Sequence, residues 1–251
     1  MARLALVMTG PLTVLTLTAA PAPAQAAGPP APRESAVQLR LGIFMPAGDS
    51  DFWDDTGDVF TLDISDFDDF TAGFSYVHPS SNHVEIGVNF DLYGGNSSSV
   101  YRDFVDEDGF TIPHDTDLSL LPLTVDVRLI PGGRYRVRPG GRYVLKPVFY
   151  IGAGLGVTFW EYEEEGFFLD FTDYPEDPPV VFYDRFVDDG AAFEVHALAG
   201  VEIPIGRRTN LLFEGRFSVS EDDLGGDFAG LPATELDLSG TSIAGGLSFR
   251  F

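Results

Sequence analysis

The sequence predicts an all-β fold, an eight-stranded antiparallel up-and-down transmembrane β-barrel. Eight segments alternate apolar and polar residues with period two, the connections between them alternate long and short, and the two sets of connections are opposite in charge. Period two puts successive side chains on opposite faces of a strand, so each such segment has one apolar and one polar face.

The first strand is Val37 to Phe44, with Val37, Leu39, Leu41 and Ile43 on one face and Arg40 on the other. Phe70 to His78 and His83 to Tyr93 follow as a hairpin across PSSN. In the second of these, Val84, Ile86, Val88, Phe90 and Leu92 oppose Glu85, Gly87, Asn89 and Asp91. The fourth strand sets Leu121, Leu123, Val125, Val127 and Leu129 against Asp126 and Arg128. After PGGRYRVRPGGR, the fifth carries Phe149, Ile151, Ala153, Leu155, Val157 and Phe159 between Gly152, Gly154, Gly156 and Thr158. Phe193 to Ser218 reads as the sixth and seventh strands around PIGRRTN. The eighth ends the chain, with Ile243, Leu247, Phe249 and Phe251 opposite Ser248 and Arg250. No helical period of 3.6 stands out after the N-terminal region.

Residues 1–26 have the three parts of a secretory signal peptide: Arg3, an apolar run from Leu4 to Leu17, and Ala24-Gln25-Ala26 as a cleavage site. A Pro/Ala-rich leader over 27–36 and a barrel domain over 37–251 complete the expected organisation. The chain of 251 residues contains no cysteine, which excludes a disulfide scaffold. It also lacks phosphate-cradling loops and basic nucleic-acid patches, so no nucleic-acid partner is expected.

The long connections, roughly 45–69, 94–117, 161–190 and 221–235, are acidic. The windows 49–69, 94–117, 161–190 and 221–237 hold 32 of the 39 Asp and Glu residues, with only Arg102 and Arg185 beside them. Short connections carry Arg134, Arg136, Arg138, Arg142, Arg207 and Arg208. The polar strand faces hold Glu85, Asp91, Asp126, Glu194, Glu202 and Glu214 against Arg40, Arg128, Lys146, Arg216 and Arg250. Such near-balance suits charges enclosed together, so these faces are assigned to the lumen and the apolar faces to lipid. The glycines at 152, 154 and 156 are expected to make room for long lumenal side chains such as Arg128 or Glu194.

YIGAGLGVTF, AGVEIPIGRRTNLLFEGRFSV and the terminal GGLSFRF resemble the strands of small bacterial outer-membrane β-barrel proteins, most clearly from about Tyr150 to Phe251. The resemblance implies a monomer in the bacterial outer membrane, with outer-membrane lipid around it. It also implies contact with the barrel-assembly machinery through the terminal strand ending in Phe251. The very acidic connections depart from the usual pattern.

Function is expected in those connections. Asp49, Asp51, Asp54, Asp55 and Asp58, with Glu161, Glu163, Glu164 and Glu165, supply oxygen ligands of the kind that hard cations take, so weak Ca2+ or Mg2+ binding is the candidate site, although the spacing matches no calcium loop. Aromatics such as Phe52, Trp53, Phe60, Phe104 and Phe110 argue for folded rather than solvated segments, some of them extending the strands above the membrane. No nucleophile is placed beside a base; His114, next to Asp115, is the one histidine in an outward connection. A non-enzymatic structural or binding role is therefore expected, with the external partner unidentified. The alternatives are a soluble lipocalin-like carrier of an apolar ligand and, further off, a lipid-modifying membrane enzyme. No cofactor is expected.

Overall fold

The computed structural model describes residues 33–139, 142–172 and 179–251; the signal-peptide assignment and most of the leader lie outside them. Eight long strands form the barrel: β1 (Ala36–Pro46), β2 (Asp69–Pro79), β3 (Val84–Val105), β4 (Thr111–Leu129), then, after the short pair β5 (Tyr135–Arg138) and β6 (Arg142–Leu145), β7 (Val148–Asp170), β8 (Val180–Pro204), β9 (Thr209–Asp223) and, past the three-residue β10 (Glu235–Asp237), β11 (Gly240–Arg250). Each pairs antiparallel with its sequence neighbour, and β11 closes the ring on β1 from Ala36↔Arg250 to Pro46↔Gly240. Closure leaves no free sheet edge at membrane depth, which backbone crossing a hydrocarbon layer requires.

Face assignment follows the sequence pattern. Leu41, Ile43, Leu123, Val125, Leu155, Phe213 and Ile243 stand about half exposed on the outer wall, while Arg40, Asp126, Arg128, Glu194, Glu202, Glu214 and Arg250 are buried in the lumen. A soluble carrier would invert this arrangement, so that alternative is overturned. Among the described residues no helix is long and apolar enough to cross a membrane; the crossing elements are strands.

Two differences concern the short-turn rim. Arg134 is not a rim charge; it is buried and reaches into the lumen. Lys146 is not lumenal. Its Nζ donates to the Gly132 carbonyl at 2.6 Å, because it lies between the β5–β6 hairpin and the start of β7 rather than in the barrel strand. Arg134 thus takes the place that strand parity gave to Lys146, and the enclosed set still contains six acids and five bases.

The glycine expectation changes in detail. A Cβ at Gly154 would lie 2.5 Å from His196 Nε2, and one at Gly152 would lie 3.0 Å from Leu198 Cδ1. The space these glycines leave is filled by His196 and Leu198, not by Arg128 or Glu194. Gly200 does the same for Tyr150, whose hydroxyl would collide with an added Cβ.

At the long-connection end the expected extension of strands is present, and a helix is added to it. Strands of 23 and 25 residues in β7 and β8 far exceed the roughly 9–11 needed to cross a bilayer. Much of 94–117 and 161–190 is therefore strand, as register pairs such as Ser97↔Thr116 and Glu163↔Val187 show. The first long connection contains α1 (Asp51–Val59), a helix that the sequence pattern does not predict. Its signal is short: Phe52, Trp53 and Thr56 face inward while Asp51, Asp54, Asp55 and Asp58 stay in water. Asp51 and Asp54 in the first turn complement the helix dipole.

Candidate functional site

The lumen is filled in tiers. Nearest the short turns, Arg134 donates to Glu85 at 2.6 Å and to Glu202 at 2.8 Å. Arg250 joins the same two carboxylates at 3.2 and 3.3 Å, and Gln38 and Asn210 donate to Glu202. In the middle, Arg128 holds Asp126 at 2.8 Å, Tyr150 donates to Glu214 at 2.8 Å, and Asp91 is shared by Arg40 and Arg216 at 2.8 Å each. Higher again, Glu194 accepts from Thr158 and lies 3.1 Å from His196 Nδ1. Each buried charge thus faces an opposite charge or a hydrogen-bond donor, the arrangement that offsets the cost of removing it from water. Between these tiers and the crown is a cavity of only about 50 Å³, lined by Arg40, Asp91, Glu194, Glu214 and Arg216 among others.

Above the lumen the upper halves of β3, β4, β7 and β8 form a four-stranded crown sheet. Its inner face carries a second hydrophobic core, in which Phe52 and Trp53 of α1 pack on Tyr162 and Trp53 packs on Phe67. Phe60 bridges to Tyr101 in β3, and Trp53 Nε1 donates to the Asp237 carbonyl at 3.1 Å. Phe228, from the short 3-10 turn Gly226–Phe228, also packs on Tyr162. The loops are thereby tied into a folded cap built mainly of aromatic edges and faces.

His114 does not sit in an open loop. It lies on β4 with its ring stacked on Phe60 at 4.1 Å and its Nε2 3.4 Å from Glu164; the neighbouring Asp115 points away and accepts instead from Ser98. Thr116 Oγ1 is 3.4 Å from His114 Nδ1, and Tyr162 donates to Glu164 at 2.6 Å. Burial, and next the charge of Glu164, push the Tyr162 phenol well above its ordinary value, so it serves as a neutral donor. The sequence signal for this cluster was present as alternation: Ile112, His114, Thr116 and Leu118 are buried, and Pro113, Asp115, Asp117 and Ser119 are exposed.

The nine carboxylates proposed as cation ligands are not brought to one place. Asp49 is exposed, and its backbone N–H donates to Asp237. Asp51, Asp54, Asp55 and Asp58 lie on the solvent side of α1. Glu161, Glu163 and Glu165 share the outer face of the crown sheet, whereas Glu164, of opposite parity, turns inward to His114 and Tyr162. Among the described residues no three carboxylates or histidines converge as metal ligands.

The outer face of the crown has its own pattern. Asp115 stands opposite Glu165, Asp117 opposite Glu163, and Glu161 opposite Asp189. Like charges directly across a ladder are destabilising. Burial, then the charges of Glu163, Asp115 and Glu165, raise the Asp117 carboxyl above its usual range. Arg185 is the base within this ladder; it bridges to Glu163 and holds that carboxyl below its usual range.

A closed ring of eight strands, apolar outside and ion-paired inside, defines an eight-stranded outer-membrane β-barrel, the class that the sequence resembles. No protein-family model and no curated protein sequence matches the chain. Among solved structures it is similar to the outer membrane protein OprG from Pseudomonas aeruginosa, with a TM-score of 0.49 and 12% identity over 89% of this chain and 98% of that one. It is also similar to Neisserial surface protein A (NspA), with a TM-score of 0.46 and 10% identity over 86% and 97%. A third is a major outer membrane protein from Thermus thermophilus, with a TM-score of 0.43 and 12% identity over 88% and 100%. At such identities no ligand or activity passes to this chain, and the class rests on the barrel's own geometry.

Proposed function

We propose that the protein is a non-enzymatic surface barrel whose folded crown, not its lumen, is the working part, presenting an acidic sheet face to cationic partners outside the cell. The observation that carries this reading is the outer-face ladder of Asp115, Asp117, Glu161, Glu163, Glu165 and Asp189, with Arg185 its single base. A ladder of like charges lowers the stability of the sheet that bears it, and a basic partner or a layer of divalent cations relieves it. Because these carboxylates do not converge, Ca2+ or Mg2+ acts here by diffuse screening rather than by coordination in a cage.

The filled lumen supports the same reading. Ion pairs and hydrogen bonds fill it, and the cavity above them is only about 50 Å³, which favours a closed barrel over a wide diffusion pore. An enzyme reading has one point of contact, the acid–imidazole–hydroxyl row of Glu164, His114 and Thr116. Thr116 is wholly buried and His114 is 1% exposed, stacked against Phe60, so no substrate reaches the hydroxyl. Strand β11, followed by exposed Phe251, would serve contact with the barrel-assembly machinery.

The test uses protein refolded into zwitterionic bilayers. It should show no open-pore conductance and should bind polylysine but not polyglutamate, with affinity falling steeply as salt rises. Asp115→Asn/Asp117→Asn/Glu165→Gln should weaken polylysine binding. Ohmic single-channel conductance, or polylysine binding unchanged in the triple variant, would refute the reading.

A further inference from the structure

The crown also contains a cavity that neither the acidic outer face nor the ion-paired lumen accounts for. About 430 Å³ opens on the inner side, between α1, β3, β7 and the turn at Leu231, Pro232 and Ala233, a volume within the usual range for small-molecule sites. Among the described residues five aromatic rings line it, those of Phe52, Phe60, Tyr101, Phe168 and Phe171. The first four are buried, and Phe171 stands 41% exposed at the mouth.

Among the described residues, every charged residue in the lining is an acid. Asp55 and Asp58 stand in solvent on α1, and Glu164 is buried among the rings. One Glu164 oxygen accepts from Tyr162 at 2.6 Å. The other is 3.4 Å from His114 Nε2, and that nitrogen has no hydrogen-bond partner. A contact of that length is beyond a good N–H···O bond. The buried atom left without a partner is thus His114 Nε2, while the second Glu164 oxygen has accepting capacity left at the cavity wall.

We propose that this cavity binds an organic cation, an amine or quaternary ammonium carrying an aryl or short alkyl group. The rings shelter the apolar part, and their negative faces attract the cation. Glu164 supplies the opposite charge at depth, and Asp55 and Asp58 draw the ligand in. An anion of the same shape meets three carboxylates and is rejected, while a neutral analogue keeps only the apolar contribution. This inference deepens the reading of the crown as a binding element for cationic partners and rests on it, but it concerns a different face.

The experiment titrates protein in zwitterionic lipid nanodiscs with 3-phenylpropyltrimethylammonium, 3-phenylpropanol and 3-phenylpropionate, following heat and, in a Trp160→Phe background, the fluorescence of Trp53, whose ring is 5.4 Å from that of Phe52. The cation should bind at one site, the alcohol about tenfold more weakly, and the anion not at all. Glu164→Gln should lose about tenfold toward the cation and little toward the alcohol. Asp55→Asn/Asp58→Asn, at exposed positions that cannot unsettle the core, should lose a smaller factor. Asp115→Asn/Asp117→Asn, on the outer face, should bind the cation as the parent does. Equal affinity for cation and alcohol, or an outer-face variant as impaired as Glu164→Gln, overturns the cavity. If polylysine binding persists while the small cation fails to bind, the cavity alone is wrong; if both fail, the acidic-crown reading goes with it.

Discussion

Replacing Arg128 by Met tests whether the enclosed charges are held by one another. Arg128 is 1% exposed and donates to Asp126 Oδ1 at 2.8 Å, Asp126 Oδ2 at 3.1 Å, Gln38 Oε1 at 2.8 Å and Asn89 Oδ1 at 3.1 Å. Met fills much of the same volume, so the loss is electrostatic rather than a cavity. Glu214 keeps Tyr150 at 2.8 Å and both Arg40 and Arg216 at 3.4 Å. Asp126 keeps only the side-chain N–H of Asn89 at 2.6 Å as a close donor. The cost therefore falls on one carboxylate stranded in the lumen, about 3–5 kcal/mol for breaking a buried pair from one side. Arg128→Met/Asp126→Asn removes the stranded charge and leaves an amide that can still accept from Asn89. The double variant should be only about 1–2 kcal/mol below the parent, the worth of one or two neutral hydrogen bonds. Urea unfolding of the barrel in bilayers, read as the fraction migrating as the compact unboiled band in electrophoresis, measures both. A single variant as stable as the parent, or a double variant no better than the single, would refute the claim that this pair is enclosed.

Leu155→Arg, at a position 56% exposed on the outer wall, should cost about 2–4 kcal/mol at the bilayer midplane; Phe167→Arg, on the crown above the lipid, should cost little, and equal costs in the same unfolding assay would misplace the lipid band. Trp53→Ala removes the ring that joins α1 to Tyr162 and Phe67 and should loosen the crown by about 3–5 kcal/mol. Hydrogen exchange should then rise over α1 and the 3-10 turn while the lumenal tiers stay protected. Asp117→Asn should protect the paired crown segments of β4 and β7 from hydrogen exchange at neutral pH. A carboxyl raised in the folded state penalises folding wherever it is ionised, so the gain should be full above that raised value and gone below the ordinary Asp range, about pH 4. Calorimetry with Ca2+ should show weak heat without a defined stoichiometry, reduced in Glu163→Gln/Glu165→Gln; a sharp single-site isotherm would mean that a cage forms.

By itself the sequence determined which residues face lipid and which face the lumen, because period two in a strand leaves no freedom once one face is known. Leu123, Val125 and Leu155 outside, and Asp126, Arg128 and Glu214 inside, were legible for that reason. The balance of enclosed charge was legible too, although Arg134 and Lys146 exchanged roles, since parity cannot tell a barrel strand from a hairpin in the turn beside it. Tertiary structure alone decided which charges meet: Arg128 with Asp126 is local, but Arg216 with Asp91 and Arg134 with Glu202 depend on closure of the whole ring. It also decided the fate of the acidic connections. The alternation of Ile112, His114, Thr116 and Leu118 is regular, but its charged outer face resembles a solvated loop, and only pairing with β7 shows that its inner face is buried. The nine-residue helix α1 is too short to declare itself by period, and the crown's aromatic core holds it in place. Glu164, one of three consecutive glutamates, is set apart from its neighbours by strand parity and by what packs against each face. A run of like residues can do two different things only once it is folded.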